Sequence, residues 1–183
     1  MNAADMTMPQ TAMPGLRIRK MEMSDLPSWA EFALLPQVLQ HTSANYQSLE
    51  DLRTQFAPFW GEAPNAPMMF AVTLQDAPHK VIAATSFHTI MPRFLTAELS
   101  YDVHPDYWGR GIASALALAM VEWAFKERGW RRVQATAVDS NLASQAVLQK
   151  CGFVLEGRLR NFRIIRGQSR DYFIYSRIPG DGA

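Results

Sequence analysis

Seven residues, Trp108-Gly109-Arg110-Gly111-Ile112-Ala113-Ser114, constrain this chain more than any other stretch, because the hydrophobic period changes across them. Upstream, Phe94 to His104 is rich in β-formers and reads as a strand. Downstream, Ile112, Leu116, Met120 and Trp123 recur on one face of a helix expected over 109–128, and Gly129 stops it. A strand that hands over to a helix through glycines can turn successive backbone N–H groups outward at the positive end of the helix dipole. That arrangement is a cradle for phosphate or pyrophosphate. The same glycines suit an ordinary tight turn, so spacing alone leaves both readings open.

The rest of the chain can be divided by the same test of period. Leu16 to Lys20 alternates like a short strand, and Ser24 or Asp25 can cap a helix that carries Leu26, Trp29, Phe32 and Ala33. Ser48 to Trp60 predicts a second helix, with Leu49, Leu52, Phe56 and Phe59 at helical spacing. Met69 to Leu74, Lys80 to His88 and Phe94 to His104 predict three successive antiparallel strands, divided by turn signals at Asp76 to Pro78 and Met91 to Pro92. Beyond the long helix, Arg131 to Val138 reads as a strand, Asn141 to Lys150 as a helix stopped by Gly152, and Phe153 to Ile165 with Ser169 to Ile178 as a closing strand pair. A helix between two strands implies a parallel crossover in this half. The expectation is a mixed α/β (α+β) fold, one central and mostly antiparallel sheet of about seven strands flanked by about four helices. One domain spans 15–179, with a loose tail over 1–14, a loop over 61–67 and a frayed end over 180–183.

Composition removes several classes. With 183 residues, 48% of them hydrophobic, the chain can bury a core, and its formal charge of +1 gives no reason to expect nucleic acid or an acidic membrane as partner. The longest strongly apolar stretch, Ala115 to Val121, falls far short of the roughly 20 residues of a membrane span. Residues 1–14 lack the basic start and apolar middle of a secretory signal. A lone cysteine, Cys151, removes any intrachain disulfide framework and fits a reducing, cytoplasmic setting. His41, His79, His88 and His104 show no metal-binding spacing, so no metal is expected, and no Gly-x-Ser-x-Gly elbow is present. The basic group Arg158, Arg160, Arg163, Arg166 and Arg170 is either a solvated strand face or a surface for an acidic acceptor.

Three phosphate-binding classes can use the glycine turn. A Walker loop fails because Gly111 is followed by Ile112 and Ala113 instead of Lys and Ser/Thr. A dinucleotide fingerprint is weak because position 131 is Arg and antiparallel strands precede the turn. The third class is coenzyme A. The run Ala97-Glu98-Leu99-Ser100-Tyr101-Asp102-Val103-His104-Pro105-Asp106-Tyr107-Trp108-Gly109-Arg110-Gly111-Ile112-Ala113 resembles the central strand and Q/R-x-x-G-x-G/A turn of the GNAT acetyltransferases. Asn141 to Ser144 and Lys150 to Gly157 resemble that family's second motif, and the Tyr-Trp-Gly-x-Gly form is similar to the RimJ and RimL-like ribosomal-protein N-acetyltransferases. The resemblance covers about 16–178. Trp108 stands where the general pattern has Gln or Arg, and Ser100 where many relatives of this branch have Gly.

The resemblance implies a GNAT fold, acetyl-CoA as cosubstrate, an amine acceptor, and a monomer or homodimer. The turn from Trp108 through Gly109, Arg110, Gly111, Ile112 and Ala113 to Ser114 would then hold the pyrophosphate on backbone amides. Tyr101, Asp102 and Val103 would offer N–H groups to the pantetheine arm or the oxyanion, and Asn141 would contact the pantetheine or phosphate region. An amine is largely protonated at pH 7, so a base is needed; Glu98, just before the cradle, matches a glutamate often given that role. The resemblance also puts Ser144 beside the departing sulfur. Alternatives remain open at each position: Glu98 as a surface or ion-pair residue, and Asn141 and Ser144 as helix-capping residues. A coenzyme A-binding sensor without turnover stays open as a second function, with a nucleotide-binding domain third.

Overall fold

The computed structural model describes residues 7–61 and 63–181. Seven strands form one sheet in the order β1-β2-β3-β4-β5-β7-β6. They are β1 (Leu16–Lys20), β2 (Met68–Leu74), β3 (Ala77–Met91), β4 (Thr96–Val103), β5 (Arg132–Val138), β6 (Val154–Ile165) and β7 (Gln168–Arg177). All neighbours are antiparallel except β4 and β5, which are parallel. The mixed sheet expected from sequence is the one formed. Five α-helices accompany it among the described residues: α1 (Leu26–Ala33), α2 (Pro36–Leu39), α3 (Leu49–Phe56), α4 (Ile112–Lys126) and α5 (Leu142–Lys150).

Helix α2 is the addition to the four expected, a single turn started by Pro36 and too short to show a period. The second expected helix is also shorter than Ser48 to Trp60. It is α-helical only to Phe56 and continues as a 3-10 turn over Ala57–Trp60, where Pro58 removes an amide donor. Ser48 caps α3 by accepting from Asp51 N. Asp25 precedes α1 without capping it, because its carboxylate takes both Arg19 nitrogens at 2.6 Å.

The sheet separates two apolar layers. On one face α4 and α5 pack Leu116, Met120, Trp123 and Leu148 against Phe87, Ala97 and Leu99. On the other, α1 and α3 bring Trp29, Phe32 and Leu52 onto Met69, Ala71 and Ala84. Alternation along β4 therefore sends odd residues toward α4 and α5, and Glu98, Ser100 and Asp102 toward α1 and α3.

Of the tail expected over 1–14, residues 1–6 lie outside the described ones. Residues 7–14 have no regular structure, yet Met8 and Met13 pack on the α4 layer and Trp123 Nε1 donates to Thr7 O at 2.6 Å. At the other end Gly180 and Asp181 are described, with Arg177 donating to Asp181 O at 2.9 Å; 182 and 183 are outside the described residues. No helix among the described residues is long and apolar enough to cross a membrane.

Candidate active site

The parallel partners β4 and β5 stay together for only three residue pairs, Thr96–Arg132, Ala97–Val133 and Glu98–Gln134. Past Glu98 each strand keeps its outer neighbour: Leu99 to Val103 remain on β3, and Ala135 to Val138 remain on β7. The sheet therefore opens into a gap whose two rims carry main-chain groups that need partners. His104 N donates to Ile82 O on the β3 side. By alternation the N–H groups of Tyr101 and Val103 face the gap, while that of Asp102 faces β3. Of the three amides expected to serve a ligand, Tyr101 and Val103 are thus the two on the open rim.

At the far end of the gap sits the glycine turn. Gly109 and Gly111 have φ of +73° and +77°, in the left-handed region that side chains avoid, and Gly111 is the N-cap of α4. Among the described residues, a Cβ at Gly109 would meet nothing within 4 Å, so the space above the turn is open; at Gly111 it would meet only Met13 Cε, at 3.7 Å. Ile112, Ala113 and Ser114 form the first turn of α4, where a helix has no internal acceptors for its amides. Glycines, amides and dipole all fit a pyrophosphate. The two large side chains of the turn are engaged elsewhere: Trp108, half exposed, donates Nε1 to Val103 O at 2.7 Å, and Arg110 donates to Asp106 O at 2.9 Å over the Tyr107 ring.

Across the gap, Asn141 caps α5 by accepting from Ser144 N at 3.1 Å. This leaves the Ser144 hydroxyl 3.0 Å from the Tyr101 hydroxyl, which reaches over from β4. Burial pushes the Tyr101 phenol well above its usual range, against the pull of its bond to Ser144, so the phenol keeps its proton. Ser144 thus serves the cap through its N–H while the residue lines the cavity. The Tyr101 side chain is a site group that sequence reasoning does not pick, since β4 and α5 meet only in the fold.

Glu98 stands where the strands part and is 5% exposed. Its Oε1 accepts from Thr136 Oγ1 at 2.8 Å, and Arg163 Nη2 lies 3.4 Å from the same oxygen; Gln134 Nε2 is 3.4 Å from Oε2. His88 is opposite Glu98 in the β3–β4 register, and burial holds its imidazole below the usual range, with Glu98 opposing and Arg163 assisting. Two residues on, Ser100 shares a 2.6 Å hydrogen bond with Ser86 and lies open to the cavity. Asp102 accepts from Trp29 Nε1 at 2.9 Å and Ala84 N at 3.1 Å. Burial raises its carboxyl to about 6 in spite of those donors.

One cavity of about 790 Å³ joins these parts, from Gly109 and Gly111 past Ser144 and Tyr101 to Glu98, and on to Trp29 and Phe56. Its lining runs from the glycine turn at one part to the aromatic side chains of Trp29, Phe56 and Phe59 at another. Cys151 lies outside it, 2% exposed, with its thiol raised by burial and directed at Ser114 O. Among the described residues no group of three or more His, Cys, Asp or Glu could hold a metal ion.

Residues 15–154 match the family described as acetyltransferase (GNAT) domain. The chain is 32% identical over 99 residues to the uncharacterized N-acetyltransferase YoaA of Bacillus subtilis, covering 54% of this chain and 56% of that one. It is 29% identical over 110 residues to the ribosomal-protein-serine acetyltransferase of Escherichia coli, with 60% of each covered. The chain thus spans somewhat more than half the length of these curated relatives. A crystal structure of spermidine N-acetyltransferase from Vibrio cholerae, in complex with CoA and spermine, has the same fold, with TM-score 0.81, 19% identity, and 92% and 98% of the two chains covered. With its gapped sheet, its glycine turn and this family match over most of its length, the chain belongs to the GNAT acetyltransferase family.

Proposed function

We propose that the protein moves an acetyl group from acetyl-CoA to a primary amine by direct attack, with both substrates bound together. The observation that carries this reading is the continuous cavity that runs from the glycine turn through the β4–β5 gap to a buried carboxylate. Family membership supports acetyl-CoA, and the Vibrio cholerae spermidine N-acetyltransferase of the same fold was crystallised with CoA together with an amine, spermine.

Each part of the site has a task in that reaction. The turn over 108–114 holds the pyrophosphate, and the rims of the gap accept the pantetheine arm as an extra strand would be accepted. Glu98 takes a proton from the ammonium, directly or through a water, and Thr136 keeps its carboxylate in place. The amine nitrogen then bonds to the acetyl carbon, and the N–H groups of Tyr101 and Val103 stabilise the negative charge on the acetyl oxygen. As the carbon–sulfur bond breaks, its electron pair leaves on sulfur. Ser144, backed by the Tyr101 hydroxyl, donates a hydrogen bond to that thiolate. The amine's second proton ends on the thiol, so amine and thioester become amide and free thiol.

Titration calorimetry with acetyl-CoA, followed by thiol release over an amine panel, tests the reading. Glu98→Gln should lower kcat by about 100-fold while acetyl-CoA affinity stays within about twofold. Absence of binding at millimolar ligand overturns it. The contact of Glu98 with Arg163 favours one other reading, a coenzyme A sensor in which Glu98 is structural; tight binding with no acetyl transfer would select it. A cytoplasmic setting and activity without a metal, nucleic acid or membrane, as monomer or homodimer, belong to the same proposal.

A further inference from the structure

Arg163 is held in an unusual way for a residue beside a buried acid. Arg132 and Glu156 show what a committed pair looks like here, with two parallel contacts of 2.7 and 2.6 Å. Arg163 instead approaches Glu98 through one nitrogen at 3.4 Å and Ser43 at 3.5 Å, both long for charge-assisted bonds. Its position comes from packing. The guanidinium lies 5.0 Å from the Phe162 ring centre and 5.5 Å from that of Tyr172. A break in the β6–β7 register between Leu159 and Arg163, with Asn161 at φ +50° and its N–H on Asp171 Oδ1 at 2.8 Å, aims it inward. Stacking orients the fork and leaves its donors for something else.

Two further polar groups point to the same conclusion. Tyr172 is 4% exposed, and among the described residues its hydroxyl makes no hydrogen bond of normal geometry, with Ser43 the polar group beside it. His41 Nδ1 is likewise buried without a partner among those residues. Arg163, Tyr172, His41 and Ser43 all line the cavity that Glu98 lines. Buried polar atoms in a folded protein are normally paired, and around this space Arg163 is the cation whose donors are poorly used, with the Tyr172 hydroxyl beside Ser43 as a neighbouring donor, which is an arrangement that can receive an anion. The anion must be close to the reacting amine, because Arg163 is 3.4 Å from the carboxylate assigned to deprotonate it.

We propose that the acceptor is a free α-amino acid with an apolar side chain, its carboxylate received by Arg163 and the Tyr172 hydroxyl and its amine by Glu98. In such a zwitterion the two charged groups sit on one carbon, and Arg163 and Glu98 offer opposite charges at matching range. Inserting it replaces one poor ion pair with two good ones. The side chain then runs over Ser100 toward the aromatic wall of Trp29 and Phe56, which meet edge-on with centres 4.6 Å apart. This inference rests on the acetyl transfer proposed above. In that transfer the amine nitrogen forms its bond to the acetyl carbon, the carbon–sulfur bond breaks, one proton goes to Glu98 and the other to the released thiol.

Thiol release should be followed with leucine, methionine and phenylalanine, with their amides, and with the amines that lack the carboxylate. The free acids should exceed both analogue sets in kcat/KM by about 100-fold, because analogues leave Arg163 and Tyr172 unpaired. Arg163→Gln should bring that ratio to within about threefold. Tyr172→Phe, which removes only the hydroxyl, should raise KM for the acids by about 10-fold with kcat little changed, and so keeps the test sound if Arg163→Gln does not fold. Amides, peptides or polyamines acetylated as well as the free acids would overturn the amino-acid inference and leave the acetyltransferase intact. Acetyl-CoA binding with no amine acetylated, or no binding at all, would overturn both.

Discussion

On the α4–α5 face of β4 the cavity is lined largely by main chain. Gly109 and Gly111 expose amides, Tyr101 and Val103 line the open rim, and the hydroxyls of Tyr101 and Ser144 complete the surface. On the opposite face the residues Glu98, Ser100 and Asp102 look onto side chains from α1, α3 and the β6–β7 hairpin. If the proposed function holds, the first surface meets a molecule that never changes, for which amides at a fixed turn suffice. The second presents charge, hydroxyls and aromatic walls, which substitution can alter without disturbing the sheet. Under the proposed acetyl transfer, the backbone-lined half would take the cofactor and the side-chain-lined half the acceptor, so the acceptor could change by substitution while the cofactor half stays as it is.

The largest effect expected from breaking this division is at the turn. Gly111→Asp forces a side chain into φ +77° and sets a negative charge against the pyrophosphate, so acetyl-CoA affinity should fall by at least about 100-fold, read by calorimetry. A loss under about threefold would mean the turn does not carry the phosphate.

The acceptor half should respond to pH on its own. Asp102 carries a carboxyl raised to about 6 by burial, so the native state holds that proton more tightly than the unfolded chain. Its contribution therefore favours the native state while the proton is held and is lost as pH rises through about 6. Because Trp29 Nε1 donates to Asp102, the fluorescence of Trp29 should titrate with a midpoint near 6, and Asp102→Asn should abolish that transition. A titration that survives in the variant would assign it elsewhere.

The smallest effect is expected at a pair that belongs to neither half. Glu156 is held at about 2 by Arg132 and the Ser176 hydroxyl, so its stabilisation is present above about pH 4.5 and disappears as pH falls through 2. The side chain is more than a third exposed, and solvent screening reduces the benefit. Glu156→Gln should cost about 0.5 to 1 kcal/mol in denaturant unfolding at pH 7, with acetyl-CoA binding unchanged. A change in binding would connect β6 to the cofactor half.

The same division decides what could be read before the fold was known. The strands, the long helix, the glycine turn and the cap at Asn141 are written within a few residues of sequence, where period and turn chemistry act. The acceptor side is assembled from distant parts. Trp29 reaches Asp102 across 73 positions, and Arg163 approaches Ser43 across 120, through a register slip that no local pattern announces. Glu98 is legible as a candidate from its place in the motif, but Thr136, His88 and Arg163 around it are not, because strand register decides who stands opposite. The gap itself escapes sequence reading for the same reason: both rims look like ordinary strands.

The segment before β1 has a practical implication. Thr7 O receives the Trp123 indole, and Met13 reaches the α-carbon region of Gly111, so a few residues of irregular chain fasten to α4 and end at the glycine turn. An expression clone trimmed to begin at the first strand, or a purification tag fused tightly to that point, would strip this brace, leaving the Trp123 indole without its acceptor and the core without Met8 and Met13. Kinetic comparisons between differently trimmed versions would then compare different turns.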